Sequence, residues 1–158
     1  MIPPTDGFKV IRSFFKAKAR FPVFSVHDLD IMRAALRNNE RDGITGFLLR
    51  DGNTYLNVVE GPKDKVEAML ARVANDPRAF GFEILSFAKT EDRQYPAWSM
   101  SYHEHNQPKP LHCPIQDFLS CPETHAVDTA LAAMQSLGLR QISIDLQSNS
   151  QIQTRQTA

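Results

Sequence analysis

Several clusters of side chains in this chain could do chemistry. His103, His105, His112, Cys113, Cys121 and His125 crowd into 23 residues, and imidazole and thiolate are the usual zinc ligands. Their spacing, His-x-His, then His-Cys, then Cys-x-x-x-His, matches no standard structural zinc pattern, and prolines break the stretch. No metal site is expected there. Asn38 and Asn39 stand side by side at the end of a helical stretch. A helix stop needs one Asn, whereas an adjacent pair offers a ligand both donors and acceptors. Arg72 and Arg78 carry planar donor sets suited to anionic or carbonyl oxygens; the alternative for each is a solvated surface charge. The string Asn75-Asp76-Pro77-Arg78 is itself a helix-stop and turn signal. A phosphate-cradling loop with a catalytic Arg and Asn has no counterpart, so no enzymatic activity is expected.

The elements that must position these residues follow from periodicity. Val10 to Ala19 reads as a strand after the Asp6-Gly7 turn, and Arg20 to Ser25 as a loop carrying Pro22. Ser25 can cap a helix whose apolar positions Leu29, Met32, Ala35 and Leu36 fall at helical spacing, with a stop near Asn38-Asn39 and Gly43 just beyond. Gly46 to Arg50 and Thr54 to Glu60 read as strands joined by the tight turn Asp51-Gly52-Asn53. Gly61-Pro62 opens a second helix with the stripe Val66, Met69, Leu70 and Val73, ending before Asp76-Pro77. Phe82 to Ala88 and Pro96 to Tyr102 read as two further strands, the latter with Trp98, Met100 and Tyr102 on one face. The order β-α-β-β-α-β-β predicts an α+β, ferredoxin-like sheet with two helices on one face. Past the connector with Pro108, Pro110 and Pro114, Ala126, Ala130, Leu131, Met134 and Leu137 predict a C-terminal helix stopped by Gly138. Ile142, Ile144 and Leu146 would form a short strand or capping turn.

These boundaries divide the chain into a leader (1–6), a main domain (7–105), a connector with helix and short strand (106–146) and a polar tail (147–158) expected to be disordered. Length fits one domain with an extension, since the chain has 158 residues. Eighteen Lys and Arg balance eighteen Asp and Glu, which argues against nucleic acid as the partner. Near-neutrality leaves the chain less protected from self-association, so a homo-oligomer is expected. No apolar run reaches the roughly 20 residues of a membrane span, and the N-terminus lacks a secretory signal. With two cysteines and no wider framework, a reduced, cytoplasmic setting is expected.

Several strings, in this order, carry a family resemblance: Asn38-Asn39, Gly43-Ile44-Thr45-Gly46-Phe47-Leu48-Leu49, Val59-Glu60-Gly61-Pro62, Asn75-Asp76-Pro77-Arg78 and Trp98-Ser99-Met100. Together they resemble the blue-light-using-FAD (BLUF) domain, a ferredoxin-like sensor that holds a flavin between its first two helices, from about Gly7 to about His105. The resemblance implies FAD as cofactor. It implies that Asn38 and Asn39 face the pyrimidine edge of the ring, with Asn39 the direct ligand, and that Ile31 packs on the ring; a plain core position is equally compatible with Ile31. It further implies that Arg72 lies near the ring and ribityl chain and Arg78 near the phosphates, though family members often place His after this Arg, where Ala79 and Phe80 stand here.

Two positions depart from the family. Its photochemistry passes an electron and a proton from a first-strand Tyr toward the flavin through a third-strand Gln. Alignment places Phe15 at the Tyr position and Asn57 at the Gln position, with Trp98 and Met100 on the last strand. Phe15 has no hydroxyl to give a proton. Asn57 is one methylene shorter than Gln, which removes about 1.5 Å of reach, more than a hydrogen bond near 2.9 Å survives without backbone movement. Tyr55 points to the same face as Asn57 and is an alternative source of a hydroxyl; Trp98 is an alternative electron donor. The expectation is therefore a flavin-binding sensor domain, photochemically silent or altered, that signals to an unknown separate protein by contact. The alternative is a flavin-free interaction module on the same fold.

Overall fold

A computed structural model describes residues 10–103, 113–121 and 127–156. The leader (1–6), the Asp6-Gly7 turn, Pro108, Pro110, His105, His112, His125 and Ala126 lie outside these residues. The order is β1 (Val10–Ala19), α1 (Val26–Asp42), β2 (Thr45–Asp51), β3 (Thr54–Gly61), α2 (Lys63–Ala74), β4 (Ala79–Thr90), β5 (Trp98–His103), α3 (Cys113–Ser120) and α4 (Val127–Gln156). The sheet runs β4-β1-β3-β2-β5, antiparallel throughout except for the parallel pair β2–β5. This is the expected ferredoxin-like sheet extended by one strand. No helix among the described residues is long and apolar enough to cross a membrane.

Alternation along the strands splits the interior in two. Ile11, Phe15, Ile44 and Val59 meet Val66, Met69 and Leu70 of α2 on one face. Phe14, Phe47, Leu56 and Val58 face the other way, into a larger core with Ile115 and Phe118 of α3 and Met134, Leu137 and Ile142 of α4. Both faces of the central strand are therefore covered, and every residue of β3 is buried.

The helix boundaries depart from sequence expectation where tertiary contacts intervene. α1 runs past Asn38-Asn39 to Asp42 and stops on Gly43, whose φ of 67° is the left-handed conformation that ends helices. Residues 113–120, expected as connector, form α3 because Ile115, Phe118 and Leu119 sit at helical spacing over the core. Gly138 does not stop α4. A Cβ there would meet Tyr95 Cε1 at 2.7 Å and Phe47 Cβ at 2.9 Å, so this glycine serves close packing of the helix on the sheet. The expected strand at Ile142, Ile144 and Leu146 is helix, and so is the tail as far as Gln156. In that tail the Ser148, Ser150 and Thr154 hydroxyls donate to the carbonyls of Ile144, Leu146 and Ser150, satisfying their polar groups within the helix.

Gly138→Ala should thus destabilise the fold, although alanine is the better helix former by about 1 kcal/mol. Overpacking against Tyr95 and Phe47 is expected to outweigh that gain, for a net loss of about 1–3 kcal/mol in urea unfolding. A neutral or stabilising result would mean that α4 stands farther from the sheet.

Candidate functional site

Between α1 and α2, over the face carrying Phe15, Ala17, Leu48 and Asn57, lies a narrow slot made of two adjoining cavities of about 170 Å³ and about 70 Å³. Both touch Ile31, Leu48, Asn57, Val73 and Asp76. The slot is smaller than the roughly 300 Å³ of an ordinary ligand pocket, so its lining chemistry decides whether it is a site. Three buried polar atoms around it have no hydrogen-bond partner among the described residues: Asn39 Nδ2, Asn57 Oδ1 and Trp98 Nε1. A buried polar group left unpaired costs about 1–3 kcal/mol. Two donors and one acceptor held in an apolar slot fit a flat ring with carbonyl and imide edges, which would supply the missing bonds.

Each sequence-predicted residue has a definite place. Ile31, Asn38, Asn39, Asn57, Arg72, Arg78 and Trp98 all line the slot. Phe15 lines its smaller end and pairs directly with Asn57 across β1 and β3. Its ring lies 5.5 Å from that of Phe82. Met100, two residues along β5 from Trp98 and opposite Leu48 on β2, is not among the lining residues. Of the His and Cys cluster, the side chains of His103 and Cys121 are described. His103 is buried with Nδ1 3.5 Å from Asp51 and Nε2 3.5 Å from Gln116 of α3.

The two arginines do not stand alone. Arg72 lies 3.6 Å from Asp42, and Arg78 grips Asp76 with Nε at 2.9 Å and a terminal nitrogen at 2.6 Å. That grip holds the Asp76 carboxyl below its ordinary range against the opposing effect of burial. It also raises the Arg78 guanidinium. The Asp42 carboxyl is lowered as well, first by its hydrogen bond from Arg41.

Sequence reasoning missed the network that closes the smaller end. Arg50 is buried within β2 and donates to Asp28 at 2.5 Å, to the Tyr55 hydroxyl at 2.8 Å, and to the carbonyls of Phe21 and Gly52. The Tyr55 hydroxyl donates to the same Asp28 oxygen at 2.5 Å. Burial, followed by this bond to Asp28, pushes the phenol well above its usual range. The other Asp28 oxygen accepts the amide of Phe24, a residue at φ 61° that non-glycine residues rarely adopt. Tyr55 does face the slot beside Asn57, but its hydroxyl is committed to Asp28. The available signal was an arginine directly after the apolar run Gly46-Phe47-Leu48-Leu49, within the expected strand, and an acidic residue in the first turn of α1, since buried charges are paired.

The chain matches the model of the BLUF family, sensors of blue-light using FAD, over residues 12–101. Among curated relatives, the photoactivated adenylate cyclase subunit beta-like protein FB of Euglena gracilis is 38% identical over 72 residues, which is 45% of this chain and 8% of that protein. The photoactivated adenylate cyclase subunit beta of Euglena gracilis is 36% identical over 72 residues, with the same shares. The chain thus spans only a small part of these relatives. Of solved structures, the dark state of BlrB, a BLUF protein, superposes with a TM-score of 0.66 at 22% identity, covering 87% of this chain and 97% of BlrB. The photo-activated state of BlsA gives 0.65 at 20% identity, covering 81% and 94%. At such identities the structural likeness speaks for the fold.

The Asp76 carboxyl sets a pH window. Its folded value is depressed below 3.8, so the pair with Arg78 contributes stability above that value and loses it as pH falls through the lower, folded one. Asp76→Asn should cost on the order of 1 kcal/mol at pH 7, since the pair is partly exposed. Urea unfolding at pH 7 and near pH 2 checks this: the gap between the two proteins should close in acid.

Proposed function

The chain belongs to the BLUF family of blue-light sensors that use FAD, and from that membership we propose a flavin-binding regulatory domain whose usual light response is lost. The slot between α1 and α2 supports the reading, because its unpartnered Asn39, Asn57 and Trp98 atoms are what a ring with carbonyl and imide edges would satisfy. Asn39 would bond the edge of the ring, with Asn38 beside it, and Ile31 would pack on its face. Arg72 would meet ring or ribityl oxygens from α2. Arg78 would approach the phosphates only by sharing its donors with Asp76, which weakens that contact. When bound, FAD supplies absorption of blue light and an acceptor for an electron.

The residues that would complete the response are altered at the one place where they must cooperate. Phe15 and Asn57 face each other across β1 and β3, and in our reading these are the positions where the family carries Tyr and Gln, so the hydroxyl and one methylene are gone. Phe15 holds no hydroxyl proton to move, and the Asn57 amide has one methylene less reach than Gln, so it can meet the ring edge but not bridge it to a donor on β1. We read the chain as a sensor domain without catalytic activity of its own, acting through contact with a separate protein in the cytoplasm. Self-association fits as well, because α4 leaves Leu139, Ile144, Leu146 and Ile152 exposed.

Purified protein should be yellow and release FAD on denaturation, and Asn39→Ala or Arg72→Ala should lower its flavin content. Unchanged flavin in both variants would remove the assigned pocket. A colourless protein that refuses added FAD would favour an interaction module with a closed slot.

Under blue light the flavin-loaded protein should show no persistent red shift of its absorption. Phe15→Tyr and Asn57→Gln should each fail alone, and the double variant should restore at least part of the shift. A reversible shift in the unaltered protein would overturn the reading. Sedimentation should show an oligomer; a concentration-independent monomer into the high-micromolar range would exclude it.

A further inference from the structure

The smaller end of the slot holds a phenol whose hydroxyl already bonds a buried carboxylate, and no step described above uses it. Tyr55 lines the slot with Phe15 and Asn57, and its hydroxyl donates to Asp28 Oδ1 at 2.5 Å. Resting on the flavin reading, we propose that Tyr55 is an electron donor of this slot and Asp28 its proton acceptor, so that light drives a reversible oxidation of Tyr55 with the proton moving away from Asn57.

The step balances with a photoexcited flavin as the one-electron oxidant. One electron leaves the Tyr55 ring; the phenol O–H bond breaks, and its proton forms an O–H bond to Asp28 Oδ1. A neutral phenoxyl remains on Tyr55. Return of the electron and the proton restores both groups. An oxidised phenol is a far stronger acid than a carboxylic acid, so the acceptor need only be in place, and Asp28 is within hydrogen-bond reach before light arrives. A terminal nitrogen of Arg50 lies 2.8 Å from the phenol oxygen and keeps a donor on the phenoxyl.

The other aromatic groups lack this arrangement. Phe15 has no proton to lose. Trp98 lines the slot, but its indole N–H has no acceptor among the described residues, so an oxidised Trp98 would keep its charge in apolar surroundings and recombine. Tyr95 belongs to the core on the opposite face of the sheet. Tyr102 also interacts with Asp28, but its ring lies against Phe24, 4.4 Å away, and does not line the slot.

The consequence is mechanical. A protonated Asp28 leaves the buried Arg50 cation without its counter-ion and weakens the bond that holds Phe24 at positive φ. Strain would then appear at residues 21–28, where the chain enters α1. Output would arise at that end of the slot.

The test starts with the full chain loaded with FAD and illuminated in the cold. Electron paramagnetic resonance should detect a tyrosyl signal, and infrared difference spectra should show a new protonated-carboxyl band. Tyr55→Phe should lose both. Asp28→Asn should lose the band and shorten the lifetime of the radical. If Asp28→Asn fails to fold, heavy water decides with the unaltered chain: radical formation should slow, and an unchanged rate overturns the coupling. A loaded chain without a tyrosyl signal, or a signal that survives Tyr55→Phe, overturns the proposal. If the chain takes up no flavin, the reading of the slot as a flavin site fails separately. Azide radicals generated in the flavin-free protein then test the pair itself: a Tyr55-dependent phenoxyl with a protonated carboxyl upholds it, and its absence overturns it.

Discussion

The buried ion pair between Arg50 and Asp28 governs the shape of everything around the slot. A guanidinium inside a strand cannot shed its charge, so its surroundings must supply acceptors or the fold does not form. Here they come from four places: the first turn of α1, the loop before it, the β2–β3 turn and a β3 side chain. Such pairs add little net stability relative to apolar packing, yet breaking one is expensive. The value of this one is positional. It ties the start of α1, which forms one wall of the slot, to the sheet that forms its floor.

The opposite wall is held by different physics. α2 packs through Val66, Met69 and Leu70 onto Ile11, Phe15 and Val59, a non-directional apolar contact. One wall is thus fixed by directional charge and the other by burial. Phe15 belongs to both the wall contact and the slot, so its ring does structural work at the edge of the cavity. The far face of the sheet is sealed by α3 and α4, with Phe14, Phe47, Leu56 and Val58 beneath them. The C-terminal extension is therefore part of the core as far as Ile142. Beyond it, the helix continues with its apolar residues exposed.

Much of the fold was legible in the residue order. Alternation and turn chemistry place β1 to β5 and the first two helices to within a few residues, because each signal is local: Asp51-Gly52-Asn53 for the hairpin, Pro62 for the opening of α2, Gly43 for the end of α1. The slot residues Ile31, Asn38, Asn39, Asn57, Arg72 and Arg78 were legible through the family resemblance, since residue type alone left the arginines as surface charges and Ile31 as a core position. The C-terminal helix was legible at Ala130, Leu131, Met134 and Leu137, but its length and the helix α3 before it were not. Gly138 reads locally as a helix stop, and only the nearness of Tyr95 and Phe47 gives it another purpose. The polar tail reads locally as disorder, yet it continues a helix already nucleated over the core, where propagation is easier than initiation.

The residues alone determined that Phe15 carries no hydroxyl and Asn57 only a short amide, because functional groups are covalent facts. They also determined the paired amides and the neutral overall charge. Tertiary structure decided which of these groups meet. It set Phe15 opposite Asn57 and brought Asn39 of α1 and Arg72 of α2 to one slot. It also joined Asp28, Arg50 and Tyr55, which lie up to 27 residues apart in sequence. Hydrogen bonds and ion pairs act only over a few ångströms, and chain separation says nothing about such distances until the sheet has closed.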